Sequence, residues 1–391
     1  MTCNLFKCKY LMLFLIMLIL GCNSKPTKIA IVNVFNVSCA TEWNDAINLI
    51  KNTDKYDQFT INISESFFLQ GTTEPTFGTK RRIEVTITGN NNIYLASNGH
   101  LLYVSSAQNV IINDTVFEGH QDNDSRLILV NGYNAAFTMQ GNSGIKNNSG
   151  GGIHITNNAA FYMMNGEISG NAAFRGGGVL VDENSDFVLT NGIISDNIAN
   201  NDMQNSGGGI FVRDSNFTIS GGLITRNRSY NGGGVSCQAS IFNMNGGIIS
   251  HNSARIGGGV RLDNTTTTFS GGSVSDNVSS LYGGGIAIFG EVYYGAIFNM
   301  TGGVISGNVA SSDGGGIYYS GGVFIFRAGI VYGNQETGES IELANFSGGL
   351  GASLFHSFPG QTVCRYGDGS NILPHIESER NYTDYIIIGR E

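Results

Sequence analysis

Apolar and polar residues alternate in short runs along most of this chain, and the same run returns at nearly constant intervals. In each repeat a Phe, replaced once by Thr267, lies five residues before a reference Gly or Asn, and a second apolar residue lies three before it. The residues between these two positions are mixed in polarity. A period of two predicts a strand with one buried and one exposed face. The reference residues are Asn142, Gly166, Gly192, Gly222, Gly247, Gly272, Gly303 and Gly329.

A second alternating run follows a Gly triplet in each repeat. Successive triplets are 26, 31, 25, 25, 26 and 31 residues apart. The inward positions after each triplet are Val, Ile or Leu, except for Cys237 and Tyr319, and we interpret Cys237 as a small buried hydrophobe. The positions predicted to point outward vary from repeat to repeat: His154, Leu180, Phe211, Ser236, Arg261, Ala287 and Tyr318.

A repeat of this length predicts a solenoid, because each unit is too short to bury an apolar face alone and must stack on its neighbours. No helical stretch fits between the strands of a repeat. We therefore predict an all-β chain folded as a right-handed parallel β-helix, a pectin-lyase-like solenoid, in which each strand pairs with its equivalent one coil away at ~4.8 Å. The glycines would supply bends with positive φ or close backbone approach.

An Asn column accompanies each repeat, five residues after the reference position. We interpret it as structural, because Asn side chains stacked at a bend hydrogen-bond to one another and to the backbone. Its predicted members are Asn147, Asn171, Asn197, Asn227, Asn252, Asn277, Asn308 and Asn334.

The N-terminus differs from the rest of the chain. Lys7 and Lys9 precede an unbroken apolar stretch over residues 10–20, which is short for a membrane span and typical of a secretory signal. Cys22 follows Gly21 directly, and this arrangement resembles the lipobox of bacterial lipoproteins. The resemblance implies that Cys22 becomes the lipidated first residue of the mature chain and anchors it to a membrane. An uncleaved N-terminal anchor is the alternative.

The domain organisation that follows is a signal peptide over residues 1–21, a lipidated N-terminus and linker over 22–40, a capping helix with the first strands over 41–80, and the β-helix over 81–391. Residues 41–50 predict an amphipathic helix with Thr41 as N-cap and Trp43 on the apolar face, covering the first coil. Tyr385 to Ile388 predicts a last strand.

The composition limits the classes of partner that this protein is expected to bind. Charged residues make up 13% of the chain, the formal net charge is -9, and the arginines are scattered along the sequence. An acidic exported chain is a poor candidate for nucleic-acid binding. The cysteines show no metal-ligand spacing, so we expect neither a metal site nor a cofactor.

Parallel β-helices include polysaccharide lyases and hydrolases, so candidate catalytic residues have to be weighed. The segment from Gly119 to Asp124 holds the strongest candidates, His120, Asp122 and Asp124, and faintly resembles the Gly-His-Gly element of polygalacturonases. It lacks that family's second Gly and its companion motifs. We interpret the segment as a polar loop and keep a weak glycan-active or Ca²⁺-chelating site as the alternative.

Two insertions lengthen the repeat, at residues 200–206 and 289–295. Insertions in solenoids form protruding loops. Glu291, Tyr293 and Tyr294 lie in the second loop, where aromatic residues are typical of partner-binding surfaces. The alternative is that the loop folds its tyrosines onto the wall of the solenoid.

The segments FNMNGGIISHNSA (242–254) and FNMTGGVISGNVA (298–310) resemble the Gly-Gly-x-Ile and Phe-x-x-Asn repeats of chlamydial polymorphic outer membrane proteins, and more closely those of Gly-rich β-helix lipoproteins of spirochaete type. The resemblance implies a lipid-anchored envelope or surface protein with adhesive or antigenic roles. It supplies no catalytic residues. We therefore expect a non-enzymatic protein, exported to the outer membrane or cell surface, with a host or envelope protein or glycan as partner. A polysaccharide lyase or glycoside hydrolase is the alternative.

Overall fold

The computed structural model describes residues 33–54, 57–200, 206–290, 295–332, 345–348, 354–356 and 363–365, and these residues wind as a parallel β-helix. Each pairing between two strands of this part is parallel and joins equivalent segments of successive coils, as when Phe187 pairs with Phe217 and Phe217 with Phe242. The predicted fold class is confirmed.

The Phe-containing runs form the first wall of the solenoid. Their inward Phe side chains stack from coil to coil, with ring centroids 4.8 Å apart for Phe161 and Phe187 and 5.0 Å for Phe187 and Phe217. The strands of this wall are Asn33–Val37, Gln58–Ile63, Ile83–Thr88, Gln108–Asn113, Ala136–Gln140, Ala160–Met163, Asp186–Leu189, Asn216–Ile219, Ile241–Met244, Thr266–Phe269 and Val363–Arg365.

A second wall follows the bend at the reference Gly residues. In two late coils it is continuous with the first wall through the long strands Ile297–Ser306 and Val323–Val331. Its own strands are Phe67–Leu69, Asn92–Leu95, Val116–Glu118, Gly144–Lys146, Glu167–Ser169, Ile193–Ser195, Leu223–Thr225, Ile248–Ser250 and Ser273–Ser275.

A third wall consists of short strands that follow the Asn column. Its strands are Ala172–Ala173, Ile198–Ala199, Ser253–Ile256, Val278–Tyr282, Val309–Ala310 and Phe346–Ser347. The fourth wall follows the Gly triplets and forms a ten-stranded parallel sheet. Its strands are Leu102–Val104, Ile128–Asn131, Ile153–Thr156, Val179–Val181, Ile210–Arg213, Val235–Gln238, Val260–Asp263, Ile286–Phe289, Ile317–Ser320 and Leu354–His356.

The Gly triplets meet two separate steric demands. From Gly176 onward the first Gly of each triplet has positive φ, for example 56° at Gly207 and 64° at Gly232, a region that side-chain-bearing residues rarely adopt. The second Gly lies against the next coil, where a Cβ on Gly233 would collide with the carbonyl oxygen of Gly258. Both predicted uses of the glycines are confirmed.

The Asn column forms a buried ladder. From Asn171 onward, each side-chain amide donates to Oδ1 of the next Asn, and the same Oδ1 accepts the backbone N–H of the donating Asn, as between Asn227 and Asn252 (3.0 and 2.9 Å). The structural interpretation is confirmed. The ladder residues are Asn123, Asn148, Asn171, Asn197, Asn227, Asn252, Asn277, Asn308 and Asn345.

Two members of the predicted column have to be corrected. Asn148, and not Asn147, enters the ladder, because Phe137 pairs with Phe161 and Ile145 with Ile168, so this coil carries one extra residue in its bend. At the other end Asn345 accepts from Asn308 at 3.0 Å, whereas the predicted Asn334 lies outside the described residues.

The reference residue of the same coil shifts with the extra residue. Ser143 occupies the slot assigned to Asn142, since its carbonyl accepts the N–H of Glu167, one position after Gly166. Asn147 takes the position with φ near 56°, where the later coils have Gly170 and Asp196.

One helix, Ala40–Asn52, covers the first coil and buries Trp43, Ala46, Ile47 and Ile50. The ring of Trp43 lies 6.4 Å from that of Phe67, so the predicted capping role is confirmed. The predicted N-cap was wrong: Cys39 holds that position, and the Glu42 carboxylate accepts the backbone N–H and hydroxyl of Ser38. The strand Asn33–Val37 precedes the helix and pairs with Gln58–Ile63, so stacking begins ahead of the cap.

The face predicted to point outward from the fourth wall is partly buried. Phe211, Ser236, Ala287 and Tyr318 are buried there, although their column varies in sequence. Side chains from other parts of the coil cover two of them: Tyr282 of the third wall stacks on Tyr318 with ring centroids 4.5 Å apart, and the guanidinium carbon of Arg175 lies 5.7 Å from the Phe211 ring centre. Cys237 is buried on the inward face, as predicted.

The predicted signal peptide and the predicted last strand lie outside the described residues. Among those described, no helix has the length and apolar character needed to cross a membrane.

Candidate functional site

Several predicted site residues lie outside the described part of the chain: Cys22, Glu291, Tyr293 and Tyr294. The base of the second inserted loop is described. There Phe289 packs on Tyr318, with ring centroids 5.6 Å apart, and the guanidinium carbon of Arg261 lies 4.6 Å from the Phe289 ring centre. The loop therefore leaves the fourth wall from an anchored aromatic residue.

The predicted weak site forms a tight polar turn. The Nδ1 of His120 accepts the backbone N–H of Asp122 at 3.2 Å, and the backbone N–H of Asp124 donates to Oδ1 of Asn98 at 3.1 Å. Asp122 and Asp124 are exposed, while the Nε2 of His120 is buried without a hydrogen-bond partner among the described residues. Asn123, which lies between Asp122 and Asp124, belongs to the Asn ladder, so the turn has a structural role in this coil.

A groove with a volume of about 730 Å³ lies on the third wall. It runs along the solenoid axis, because its walls come from equivalent positions of successive coils: Ile198 bridges to Arg228, and Arg228 to Ser253. Small residues on this wall, Ala199 and Ser229 among them, are buried. Small side chains at the bottom and long ones at the rim create the depression.

Two guanidinium groups stand at this groove. Arg228 and Arg255 are exposed, and neither takes part in a salt bridge among the described residues. The guanidinium carbon of Arg255 lies 5.2 Å from the ring centre of Tyr230, within the range of a cation–π interaction. Backbone bonds hold this pair together, because the N–H groups of Arg255 and Ile256 both donate to the Tyr230 carbonyl oxygen.

The groove lining contains no carboxylate among the described residues. Asp196, on the neighbouring side of the Asn ladder, is engaged by Arg226, and the two hydrogen bonds from that guanidinium lower the pKa of Asp196. The described lining of the groove thus has two positive side chains on a protein of formal net charge -9. Sequence inspection alone described the arginines as scattered. The available signal was that Arg228 and Arg255 are separated by about one repeat, which makes them neighbours in a solenoid.

A second polar cluster lies on the outer side of the fourth wall. The Nε2 of His154 is 2.9 Å from Oδ1 of Asp182, and Arg213 donates to Oδ2 of the same carboxylate at 3.2 Å. Burial alone would raise the pKa of Asp182, but the hydrogen bond and charge of His154, with help from Thr156 and Arg213, hold that pKa below its usual value.

Two partly buried basic groups, Arg126 and His100, adjoin this cluster. Burial lowers the pKa of Arg126 to about 10 against the opposing charge of Asp182, and its guanidinium donates to the carbonyl oxygens of Gly176 and Arg175. His100 donates from Nδ1 to the Arg126 carbonyl oxygen at 2.6 Å. Burial lowers the pKa of His100 more than this hydrogen bond raises it, and the nearby His154 lowers it further.

Two carboxylates of one fourth-wall column form ion pairs with arginines. Asp182 and Asp263 belong to the same column of the fourth wall, and each is paired, Asp182 with Arg213 and Asp263 with Arg261 at 2.8 Å. Among the described residues no group of three His, Cys, Asp or Glu side chains is arranged to hold a metal ion.

Comparison with known proteins found no matching family model, no similar curated protein and no similar solved structure.

Proposed function

We propose that this protein is a lipid-anchored β-helix of the bacterial envelope, exposed at the outer membrane or cell surface, that binds a partner through its walls and catalyses no reaction. The Cys22 lipobox resemblance supports the anchoring, and the repeat resemblance supports an adhesive or antigenic role. A stack of backbone-paired coils provides a rigid frame on which outward side chains vary without disturbing the inward rows.

The observation that carries the binding role is the groove on the third wall. It combines two exposed guanidinium groups with a half-exposed aromatic ring, Tyr230. Arg and Tyr are the residue types that dominate binding energy at recognition surfaces. The described lining also lacks carboxyl, imidazole and thiol side chains, the usual proton-transfer groups and nucleophiles, so its chemistry is that of recognition.

Protease treatment of intact cells tests the location. If the protein is displayed outside, it is degraded while a periplasmic marker is spared. Protection until the cells are lysed would contradict surface display and place the solenoid in the periplasm.

The anchor is tested by Cys22→Ala. We expect wild-type protein to incorporate a labelled fatty acid and to partition with membranes, and the variant to do neither, since two or more acyl chains give stable anchoring and none gives almost no affinity. Cys39→Ala is the matched control and should remain lipidated. Equal labelling of wild type and Cys22→Ala would overturn the proposed anchor.

The second candidate function, a polysaccharide lyase or glycoside hydrolase, is favoured by the His154–Asp182 pair. An imidazole held by a carboxylate at 2.9 Å is an arrangement used to orient a general base. A screen of acidic and neutral glycans with wild type, His154→Ala and His120→Ala tests it. Turnover that is lost in either variant would favour the enzyme over the binding protein.

A further inference from the structure

An apolar ridge runs along the outer face of the second wall. Its side chains occupy equivalent positions in five successive coils and pair in register from coil to coil. Ile193 and Ile248 are 40% and 46% exposed, and Leu223 and Val304 are half-buried. A continuous row of exposed apolar side chains marks an interaction surface. The members of the ridge, which one serine interrupts, are Ile193, Leu223, Ile248, Ser273 and Val304.

A shallow trough of glycines lies beside the ridge. Pairs of glycines directly precede the ridge residue in four of these coils, and each of these glycines is partly exposed. The solenoid itself requires glycine here, because a Cβ on Gly246 would lie 2.4 Å from the carbonyl oxygen of Ser220. The ridge and the trough therefore advance together along the axis, by ~4.8 Å per coil. The glycine pairs are Gly221 and Gly222, Gly246 and Gly247, Gly271 and Gly272, and Gly302 and Gly303.

A second copy of this chain fits both features. A two-fold rotation about a line parallel to the solenoid axis, placed between ridge and trough, sets the ridge of each copy against the trough of the other. Because both copies have the same rise per coil, the ridge stays in step with the trough along its whole length. A two-fold axis across the wall would instead set ridge against ridge and leave both troughs unfilled.

The polar rows on either side fit the same rotation. Beyond the ridge lies a charged row, in which Asp196 pairs with Arg226 and Asp276 is exposed. Beyond the trough lies a neutral row. The rotation sets the charged row of one copy against the neutral row of the other, so carboxylate and guanidinium groups meet hydroxyl and amide groups instead of like charges. The neutral row consists of Thr190, Ser220, Asn245, Ser270 and Thr301.

We propose that two copies of this protein pack side by side and in parallel through the second wall, with the ridge of each in the trough of the other. Five coils at ~4.8 Å and a contact roughly 15 Å wide bury on the order of 1,000 Å² in total, at the lower end for specific interfaces. Both N-termini then point the same way, and anchoring in one membrane would raise the effective concentration of the partners. The inference goes beyond the proposed function, because the dimer leaves the groove on the third wall open.

Sedimentation equilibrium of the full chain in density-matched detergent measures self-association. Ile248→Asp places a carboxylate between the two copies and should weaken association at least about tenfold. Ile241→Asp is the matched control, because Ile241 lies on the first wall and is 47% exposed, and it should associate like wild type. A wild-type chain that stays monomeric, or equal weakening by the two substitutions, would overturn the inference.

Cross-linking in membranes determines the arrangement and the identity of the partner. Ile193→Cys should form a homodimer with a short bismaleimide, above the level of the unsubstituted chain, because the two Ile193 side chains lie at the same height in the parallel pair. In an antiparallel pair centred on Ile248, each Ile193 faces the partner's Val304. Cross-linking that requires a mixture of Ile193→Cys and Val304→Cys, or cross-linking of Ile193→Cys only to a different protein, would contradict the proposed dimer.

Discussion

The side-chain amide of Asn252 donates to Oδ1 of Asn277 at 3.0 Å, and the backbone N–H of Asn252 donates to the same oxygen at 2.9 Å. The amide also donates to the carbonyl oxygens of Ile224 and Ser250, at 2.9 and 3.0 Å. One buried side chain thereby satisfies backbone groups in the bend of its own coil and in the neighbouring coils, which makes the ladder a continuous structural element.

Asn252→Ala should lower the free energy of unfolding by about 2 to 4 kcal/mol, because several buried donors and acceptors lose their partner together. Urea unfolding measures the change. Asn243→Ala, on the outer face of the first wall, is the control and should shift the value by less than about 0.5 kcal/mol. Equal effects of the two substitutions would contradict the ladder's role.

Thr267 interrupts the inward Phe row, between Phe242 and Phe298. It is fully buried, and its hydroxyl has no hydrogen-bond partner among the described residues. Thr267→Val keeps the shape and removes a desolvated hydroxyl, so we expect a gain of about 1 kcal/mol in unfolding free energy. Thr268→Val, one residue along and partly exposed, should change it little. A loss of stability in Thr267→Val would show that the hydroxyl has a partner after all.

Acid should destabilise the fourth wall. The folded protein holds the pKa of His100 below its ordinary value, so the unfolded chain binds the proton more readily and stability is lost as the pH falls below about 6.5. The lowered pKa of Asp182 has its effect at lower pH. Its contribution to stability is present above the unfolded-state pKa of about 3.9 and is lost as falling pH protonates the carboxylate in the folded protein.

Urea unfolding at about pH 7.5 and about pH 5 isolates the histidine contribution. The fall in unfolding free energy between the two pH values should be smaller in His100→Gln than in wild type. His251→Gln changes an exposed histidine and should retain the wild-type fall. An unchanged fall in His100→Gln would assign the acid sensitivity to another group.

Cys237 should resist modification in the folded protein. Its side chain is fully buried, and burial raises the pKa of the thiol far above its usual value, with the charge of Asp263 adding to the effect. The thiolate is the reactive species, so a maleimide at neutral pH should leave Cys237 unlabelled until urea unfolds the chain. Peptide mass spectrometry measures labelling at this site. Rapid native labelling would mean that the fourth wall opens readily.

Much of the fold could be predicted because the same strand and bend pattern recurs in every repeat of the sequence. The inward Phe and Ile rows recur, and a period of two can describe only a strand with one buried face. The prediction failed where a single coil departed from the pattern: a count from Asn142 could not detect the extra residue that places Asn148 in the ladder, since only the pairing of Ile145 with Ile168 shows it. The predicted N-cap was wrong for a local reason, because the Glu42 carboxylate accepts the backbone N–H of Ser38.

The outer surface was predicted less well than the core. Phe211 and Tyr318 belong to a column that varies in sequence and was predicted to point outward, yet Arg175 covers the first ring and Tyr282 the second. The groove on the third wall was not predicted from the sequence for the same reason. Arg228 and Arg255 are distant in sequence and reach the same groove only because Arg228 pairs with Ser253 of the next coil.

The sequence by itself determined the solenoid, its Gly bends, its Asn ladder and its helical cap, because each depends on a rule that acts between a residue and its equivalent one repeat away. Only the tertiary structure decided which outward side chains are covered, which coil carries an extra residue, and which arginines share a groove. Those properties depend on contacts between different columns of the wall, and these contacts are set by the path of the bends and not by the period of the repeat.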